Sequence, residues 1–313
     1  GSFSSLTRAM AAPSLPVLAV AAISPAEDER QMQADDAPAL DLGAVAALPM
    51  AAGARSTAAV WHRFMRGPVV GNFLHDQMEW LAGEGFALQV QDNPEVSEPL
   101  AARLLRRCER AGRKDQAADV LQWLRAVVHQ PLAPLGVSLA ELGAQDALLA
   151  EMEFWLPAQR LSATCIDALC RKHILPGLPR PTLPERELHG MLMGFADLVF
   201  NHDGRYWVLD YKTNHLGVEA AAYTPDALAR AMLEHRYDVQ AALYLLALHR
   251  LLQSRLGDGY DPAQQLGGAL YFFMRGIDGE AGGMHVQPAP LALLQALDEL
   301  LTDSTAPSQE VQP

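Results

Sequence analysis

Two aspartates and a lysine lie close together in one short stretch of the sequence. Asp197 falls in a strand-like run, and Asp210 and Lys212 fall in a second run after residues 201–204 (NHDG). The Asp-Gly pair within that connection is typical of a tight hairpin turn. A hairpin would bring the two carboxylates together, where they repel each other unless a cation lies between them. Because Mg²⁺ and Mn²⁺ prefer oxygen ligands, the pattern indicates a divalent-metal site.

The lysine adds a group that can act on water. Strand alternation predicts two faces for the second run: Tyr206, Val208, Asp210 and Lys212 on one, and Trp207, Leu209 and Tyr211 on the other. Lys212 therefore shares a face with Asp210 and could orient or deprotonate an attacking water. A metal with a positioned water is the equipment for phosphodiester hydrolysis. Asp-x-Lys alone also occurs on solvated strand faces, so the choice between a metal site and a solvated face depends on the surrounding sequence.

The overall charge opposes binding to nucleic acid. The 313 residues include 24 Lys and Arg against 37 Asp and Glu, which gives a net charge of −13. Phosphate contacts require Lys and Arg, so any attraction to DNA must be local or come from a partner. The segment from Arg103 to Lys114 is such a local basic run, within an amphipathic helical pattern over residues 100–125. A DNA-tracking surface, a solvated helix face and a contact with another subunit all remain open for it.

Several other classes of protein are excluded by the sequence. The phosphate loop GxxxxGK[ST], the dinucleotide motif GxGxxG and the GxSxG elbow are missing, so ATP hydrolysis and dinucleotide chemistry are not expected. Three cysteines are too few for a disulfide framework or a four-thiolate cluster, which favours a reducing compartment. No apolar run reaches the roughly 18 residues of a membrane span, so no membrane association is expected.

Further helices and strands are predicted around the aspartates. Helical spacing of apolar residues over 73–81 places His75 and Glu79 together on a neighbouring helix face. Residues 151–156 (EMEFWL) predict a strand with Glu151 and Glu153 on one face.

The second half of the chain also contains residues that predict where helices begin and break. Thr224-Pro225 predicts the start of a helical pattern that continues to about Leu256 and breaks near Arg236. A buried strand over residues 266–274 and an amphipathic helix over 290–301 follow. Helices around a hairpin and further strands predict an α/β fold.

The composition suggests three regions. Residues 1–57 are rich in Ala, Pro and Asp and are predicted to be a linker or tether, 58–303 a folded domain, and 304–313 a flexible tail. The opening Gly-Ser is typical of an expression scar, so the natural N-terminus is expected to be missing.

A series of segments, in one order along the chain, strengthens the metal-site hypothesis. They are Gly71–His75 (GNFLH), Glu151–Phe154 (EMEF), Gly190–Asp197 (GMLMGFAD), Asp210–Asn214 (DYKTN), Arg236–Gln240 (RYDVQ) with Tyr244, and Gly267–Gly276 (GGALYFFMRG). Together they resemble the RecB nuclease family, a branch of the PD-(D/E)XK nucleases. The resemblance implies a restriction-endonuclease-like core, a central mixed sheet flanked by helices, with extra helices.

The resemblance also assigns ligands for a metal. It implies that His75, Asp197 and Asp210 hold a divalent ion, together with the backbone carbonyl of Tyr211. The ion implied is Mg²⁺, with Mn²⁺ as a substitute.

Other residues receive catalytic or supporting roles from the same resemblance. Lys212 would align the nucleophilic water and stabilise charge on the phosphate in the transition state. Glu151 would assist directly or through water, although Glu153 is an alternative. Gln240 and Tyr244, one helical turn apart, would contact DNA or support the site.

The function implied is that of a nuclease domain within a helicase–nuclease complex of the bacterial cytoplasm. It would hydrolyse DNA as an exonuclease and single-strand endonuclease, leave 5′-phosphates, process double-strand breaks and degrade foreign DNA. The implied partners are single-stranded DNA, a helicase part that this chain lacks, and RecC-like and RecD-like subunits; an inhibitor protein is left open. The alternative is a non-catalytic module of the same fold that docks partner subunits.

Overall fold

A computed structural model of the protein describes residues 21–23, 58–89 and 98–305. The strands are β1 (Ala21–Ile23), β2 (Leu148–Ser162), β3 (Glu187–His202), β4 (Arg205–Lys212), β5 (Leu266–Phe273) and β6 (Met284–Pro288). The helices are α1 (Val60–Arg63), α2 (Pro68–Gly83), α3 (Pro99–Arg110), α4 (Ala117–His129), α5 (Leu139–Ala144), α6 (Ala163–His173), α7 (Pro225–Glu234), α8 (Tyr237–Leu256), α9 (Pro262–Gln265) and α10 (Leu291–Thr305).

One mixed sheet forms the centre of the protein. Its order is β1-β3-β4-β5-β6, and β2 pairs with β3 outside this path. The pairs β2–β3, β3–β4 and β5–β6 are antiparallel, whereas β1–β3 and β4–β5 are parallel. Hydrophobic clusters cover both faces, one including α2 and α4 and the other including α8 and α10. The predicted α/β class, with a central mixed sheet flanked by helices, is confirmed.

Strand β4 is buried on both sides in the predicted alternation. Trp207, Leu209 and Tyr211 belong to the cluster with α2, and Val208 belongs to the cluster with α8. The hairpin to β3 is also confirmed, but its turn is only Asp203-Gly204, because β3 continues through His202. Both turn residues have positive φ (50° and 77°), which matches the right-handed twist of the flanking strands.

The prediction of one helical pattern over residues 100–125 is wrong, because two helices form there. Helix α3 ends at Arg110, and Gly112 adopts φ +72°, a left-handed conformation that glycine adopts without a Cβ clash. The amide of Arg113 then donates to the carbonyl of Cys108 at 2.8 Å, which closes the helix end before α4 begins.

The predicted helix start and break in the second half of the chain are confirmed. The Thr224 side chain accepts a hydrogen bond from the amide of Ala227 at the start of α7. Arg236, between α7 and α8, has a positive φ of 56°, so the chain turns there. A buried ion pair at 2.7 Å between Arg180 and Asp238 holds the first turn of α8, and Arg236 joins it through Asp238.

The predicted tether over residues 1–57 and tail over 304–313 lie mostly outside the described residues. Within them, residues 21–23 form β1 beside β3, and α10 continues to Thr305. Among the helices that the structure describes, none is long and apolar enough to cross a bilayer.

Arg275 connects distant parts of the domain. Its side chain is 1% exposed and lies over the ring of Trp123. It donates hydrogen bonds to four backbone carbonyls, those of Thr213, Trp61, Phe64 and Met65. The loop after β4 is thereby fixed to the segment that contains α1.

We predict that Arg275→Met lowers the free energy of unfolding by about 3 kcal/mol or more, because buried carbonyl groups lose their donors. Chemical denaturation followed by circular dichroism measures the change. Arg250→Met is the control: its partly exposed pair with Asp298 should contribute less than about 1 kcal/mol. Equal losses in the two variants would contradict the proposed role of Arg275.

Candidate functional site

The site lies where β3 separates from β4. Their pairing runs from His202↔Arg205 to Leu198↔Leu209, whereas β4 continues beside β5 as far as Lys212. Asp197 is the β3 residue next to Leu198, on the side where β3 and β4 are no longer paired. Its Oδ2 accepts a hydrogen bond of 2.8 Å from the amide of Tyr211. The Asp197 carboxylate is therefore the hydrogen-bond acceptor for a backbone amide of β4 at the point where the two strands diverge.

A cleft of about 510 Å³ opens at this point. It brings together residues from the hairpin, α2, β2 and α8. Its lining includes the predicted site residues His75, Glu151, Asp197, Asp210, Tyr211, Lys212, Gln240 and Tyr244. Residues separated by up to 173 positions in sequence thus share one concave surface.

His75 reaches the cleft from α2 and pairs with Asp197. Its Nδ1 lies 3.4 Å from Asp197 Oδ2. Burial lowers the pKa of His75, but the charge and hydrogen bond of Asp197 outweigh burial, so the pKa is raised overall. Burial in turn raises the pKa of Asp197, and the opposing effects of His75 and the Tyr211 amide leave it lowered. The pair is therefore stabilised in its charged form.

Asp210 and Lys212 form a second charged pair in the wall of the cleft. Lys212 Nζ lies 2.9 Å from Asp210 Oδ2, and the two residues are only 2% and 4% exposed. The same nitrogen lies 3.8 Å from the centroid of the Tyr237 ring, which stacks on Tyr271. The ring contact and the carboxylate together fix the direction of the lysine side chain.

The donor atoms of the cleft fit a hard divalent cation. His75, Asp197 and Asp210 contribute one imidazole and two carboxylates to the cleft, and the charge of Asp210 also raises the pKa of His75. Within the described ranges, no three His, Cys, Asp or Glu side chains form a preassembled cage. Asp197 pairs with His75 and Asp210 pairs with Lys212, so basic side chains lie beside both carboxylates.

The structure places Glu151 in the cleft and Glu153 outside its lining residues. Glu151 lies in β2 between the pairs Ala150↔Leu198 and Met152↔Ala196, and it has a positive φ of 52°. This conformation is costly for a residue with a side chain, and such strain often occurs at functional sites. Glu153 instead accepts a hydrogen bond of 2.9 Å from the Trp155 indole.

Glu79 also lines the cleft, although the family resemblance implies no role for it. It lies one helical turn after His75 and hydrogen-bonds to Glu151. Burial, followed by the charge and hydrogen bond of Glu79, raises the pKa of Glu151. The spacing of His75 and Glu79 already placed them on one helix face, but their proximity to Glu151 depends on the packing of α2 against β2.

Gln240 and Tyr244 form a connected pair that supports the cleft wall. Gln240 Nε2 donates to the Tyr244 hydroxyl at 2.8 Å, and that hydroxyl donates to the carbonyl of Phe195 at 2.6 Å. Burial raises the pKa of Tyr244 well above its usual range, which keeps the hydroxyl protonated as a donor. The pair thereby connects α8 to β3 two residues before Asp197.

Asn214, the last residue of the DYKTN segment, also lines the cleft. Its side-chain amide lies 3.3 Å from the Tyr237 hydroxyl and 3.2 Å from His235 Nε2. Asn214 therefore connects the end of β4 to the ring that lies under Lys212.

We predict that Glu79→Gln lowers the pKa of Glu151, because the substitution removes a negative charge next to the Glu151 carboxyl. Carbon-detected NMR titration of the metal-free protein measures the midpoint. Glu153→Gln is the control, since Glu153 is the weakest of the influences that raise this pKa. A larger change from Glu153→Gln than from Glu79→Gln would contradict the assignment.

Comparison with known proteins agrees with this geometry. The sequence matches the PD-(D/E)XK nuclease superfamily over residues 53–311. It is 39% identical over 249 residues to the RecBCD enzyme subunit RecB of Escherichia coli, covering 78% of this chain and 20% of that protein. To the same subunit of Haemophilus influenzae it is 38% identical over 181 residues, with 56% and 14% covered. To that of Mycobacterium tuberculosis it is 34% identical over 262 residues, with 70% and 24% covered.

The chain spans about a quarter or less of the length of these relatives. The family match, in contrast, covers most of the chain, including all of the cleft residues. Members of this family generally use divalent metal ions. The chain belongs to the PD-(D/E)XK nuclease superfamily, with the restriction-endonuclease-like core that the sequence predicted.

Proposed function

We propose that this chain hydrolyses DNA phosphodiester bonds with a divalent metal, as the nuclease domain of a RecBCD-type helicase–nuclease. The observation that carries the proposal is the convergence of His75, Asp197, Asp210 and Lys212 on one cleft. Family membership supports the reaction class, and the RecB relatives support the type of complex.

The metal is proposed to be Mg²⁺, with Mn²⁺ as a substitute. His75, Asp197, Asp210 and the backbone carbonyl of Tyr211 would hold it, since they supply the oxygen and imidazole donors of the cleft. When bound, the ion supplies Lewis-acid stabilisation of phosphate charge and activation of water. The tyrosine carbonyl belongs to the same residue whose amide donates to Asp197, so the backbone there is already positioned.

Lys212 is proposed to orient the attacking water and stabilise charge that develops on the phosphate. Its nitrogen is held between the Asp210 carboxylate and the Tyr237 ring. A buried, fixed cation stabilises developing charge with little reorganisation, which is how preorganised electrostatics lowers a barrier. The products would carry 5′-phosphates, with the 3′-oxygen as leaving group.

Glu151 is proposed to assist through its carboxyl group. Desolvation and the neighbouring Glu79 raise the pKa of Glu151, and its position in the cleft lining allows it to act directly or through water. Gln240 and Tyr244 are proposed to support the site, because their hydrogen bonds hold the β3 backbone beside Asp197.

The substrate is proposed to be single-stranded DNA, cut as an exonuclease and endonuclease during double-strand-break processing and degradation of foreign DNA. The relatives are named as subunits of the RecBCD enzyme. We therefore infer RecC-like and RecD-like partners and a helicase part of RecB type, in the bacterial cytoplasm.

We predict that the wild type degrades linear single-stranded DNA with Mg²⁺ or Mn²⁺ and not with EDTA. Asp210→Asn should lower the rate by roughly 100-fold or more, because the amide removes the ligand charge while retaining the side-chain shape. Gel electrophoresis of end-labelled DNA measures cleavage. Asp203→Asn, in the exposed hairpin turn, is the matched control. Cleavage that survives in Asp210→Asn would refute the site, and an inactive wild type would favour the interaction-module alternative.

We predict that Lys212→Met and Asp197→Asn abolish cleavage for different reasons. Lys212→Met should retain Mn²⁺ binding, because removal of a cation beside Asp210 leaves the proposed ligands in place. Asp197→Asn should weaken Mn²⁺ binding, since a ligand carboxylate is lost. Isothermal titration calorimetry measures the affinity, and thermal unfolding checks that both variants fold. Loss of Mn²⁺ binding in Lys212→Met would contradict the division of roles.

A further inference from the structure

We propose that single-stranded DNA approaches the cleft along a basic ridge, in which its phosphates contact Arg106, Arg110 and Lys114. The ridge comprises Arg103, Arg106, Arg107, Arg110, Arg113 and Lys114, on α3 and the residues that follow it. The inference rests on the proposed function and adds the path of the substrate.

The charge of the ridge is opposite to that of the whole protein. It contains six of the 24 Lys and Arg residues within twelve positions, and Glu109 is the acidic residue among them. The chain as a whole has a net charge of −13. An acidic protein that binds a polyanion needs such a local concentration of positive charge, because phosphate attraction supplies most sequence-independent affinity.

The ridge directly adjoins the cleft. Arg107 Nε donates to the side chain of Gln77 at 2.7 Å, and Arg107 Nη2 lies 3.5 Å from the carbonyl of Asp76. Asp76 lines the cleft, and it follows His75 on the same helix. A strand of nucleic acid that leaves the cleft across α2 therefore meets α3 next.

Part of the ridge is anchored and part is available to a ligand. Arg103 and Arg107 lie over the ring of Trp80 at 5.2 Å and 4.8 Å, and Arg113 lies over Phe73 at 4.9 Å. These contacts fix the helix against α2 and orient the guanidinium groups. The remaining cations, Arg106, Arg110 and Lys114, are exposed to solvent.

The spacing of the exposed cations suits a phosphate backbone. Arg106 and Arg110 are one helical turn apart and lie on one side of α3, and Lys114 continues the series beyond Gly112. Guanidinium groups bind phosphate oxygens with paired donors, and such contacts position a strand without reading its bases. The ligand class inferred is thus single-stranded DNA of any sequence, and an acidic protein surface is the competing occupant.

The test is the affinity for a labelled thymidine oligonucleotide at several salt concentrations, measured by fluorescence anisotropy. All proteins carry Asp210→Asn, and EDTA is present, so that no cleavage occurs. Each lost phosphate contact should weaken binding about fivefold at 0.1 M salt and reduce the salt slope by about 0.7. The triple variant Arg106→Ala, Arg110→Ala, Lys114→Ala should therefore bind roughly 100-fold more weakly, with a slope smaller by about 2.

Two control proteins test whether the loss of affinity depends on the position of the removed charges, on the net charge alone or on a structural role of the arginines. Lys172→Ala, Arg205→Ala, Arg230→Ala removes the same charge from exposed positions outside the cleft and should bind as the parent does. Arg106→Lys with Arg110→Lys preserves the positive charge and should retain most of the affinity. Equal loss in the lysine variant and the alanine variant would overturn the proposal, because it would indicate a structural role.

The outcomes also separate this inference from the proposed function. If the wild type cleaves DNA but the ridge triple variant binds as tightly as the control triple variant, the ridge proposal is wrong and the nuclease proposal stands. The ridge would then face another surface, such as an acidic protein. If the chain with an intact cleft neither binds nor cuts single-stranded DNA, both proposals are wrong.

Discussion

The divergence of β3 from β4 at Asp197 is the constraint on which the site depends. A paired hairpin that continued past Leu198 would bury both aspartates in a regular ladder and leave no cleft. The amide of Tyr211 would lack a partner where the strands separate, and the Asp197 carboxylate accepts its hydrogen bond instead. An unsatisfied buried amide is destabilising, so this hydrogen bond stabilises the strands in their separated arrangement. Asp197 therefore has a structural role as well as its proposed role as a ligand.

The balance of charge within the cleft follows from that geometry. Two carboxylates lie in a partly desolvated space, and each is next to a basic side chain, Asp197 beside His75 and Asp210 beside Lys212. Removing one partner of such a pair leaves the other charge uncompensated, so each pair favours the charged form of its carboxylate. A divalent cation at the proposed site would add positive charge to the same space; it would favour neutral His75 as a ligand and would compete with Lys212 for Asp210. The proposed catalytic role of Lys212 and the proposed metal-binding role of the carboxylates therefore involve one set of interacting charges.

The local parts of this arrangement were predictable from the sequence, and the long-range parts were not. Alternation along β4, the Asp-Gly turn and the cap at Thr224 depend on neighbouring residues, so simple patterns predicted them correctly. The break at Gly112 was missed because a polar helical pattern continues across it in sequence. The approach of Glu79 to Glu151 depends on how a helix packs on a strand 72 positions later, which periodicity does not contain. The choice between Glu151 and Glu153 likewise depends on the irregular backbone of β2.

Buried arginines explain how a site assembled from distant segments keeps its shape. Arg275 fixes the loop after Lys212 through the carbonyl of Thr213, and Arg180 fixes the start of α8 through Asp238. Arginine suits both positions because its planar group donates several hydrogen bonds in fixed directions, whereas lysine presents one rotating ammonium. Arg275 binds carbonyl groups of segments far away in the chain. Arg180 binds the nearby carbonyls of Ile174 and Leu175 and reaches the distant Asp238 carboxylate. Rigid supports of this kind hold Tyr237 and Lys212 in contact.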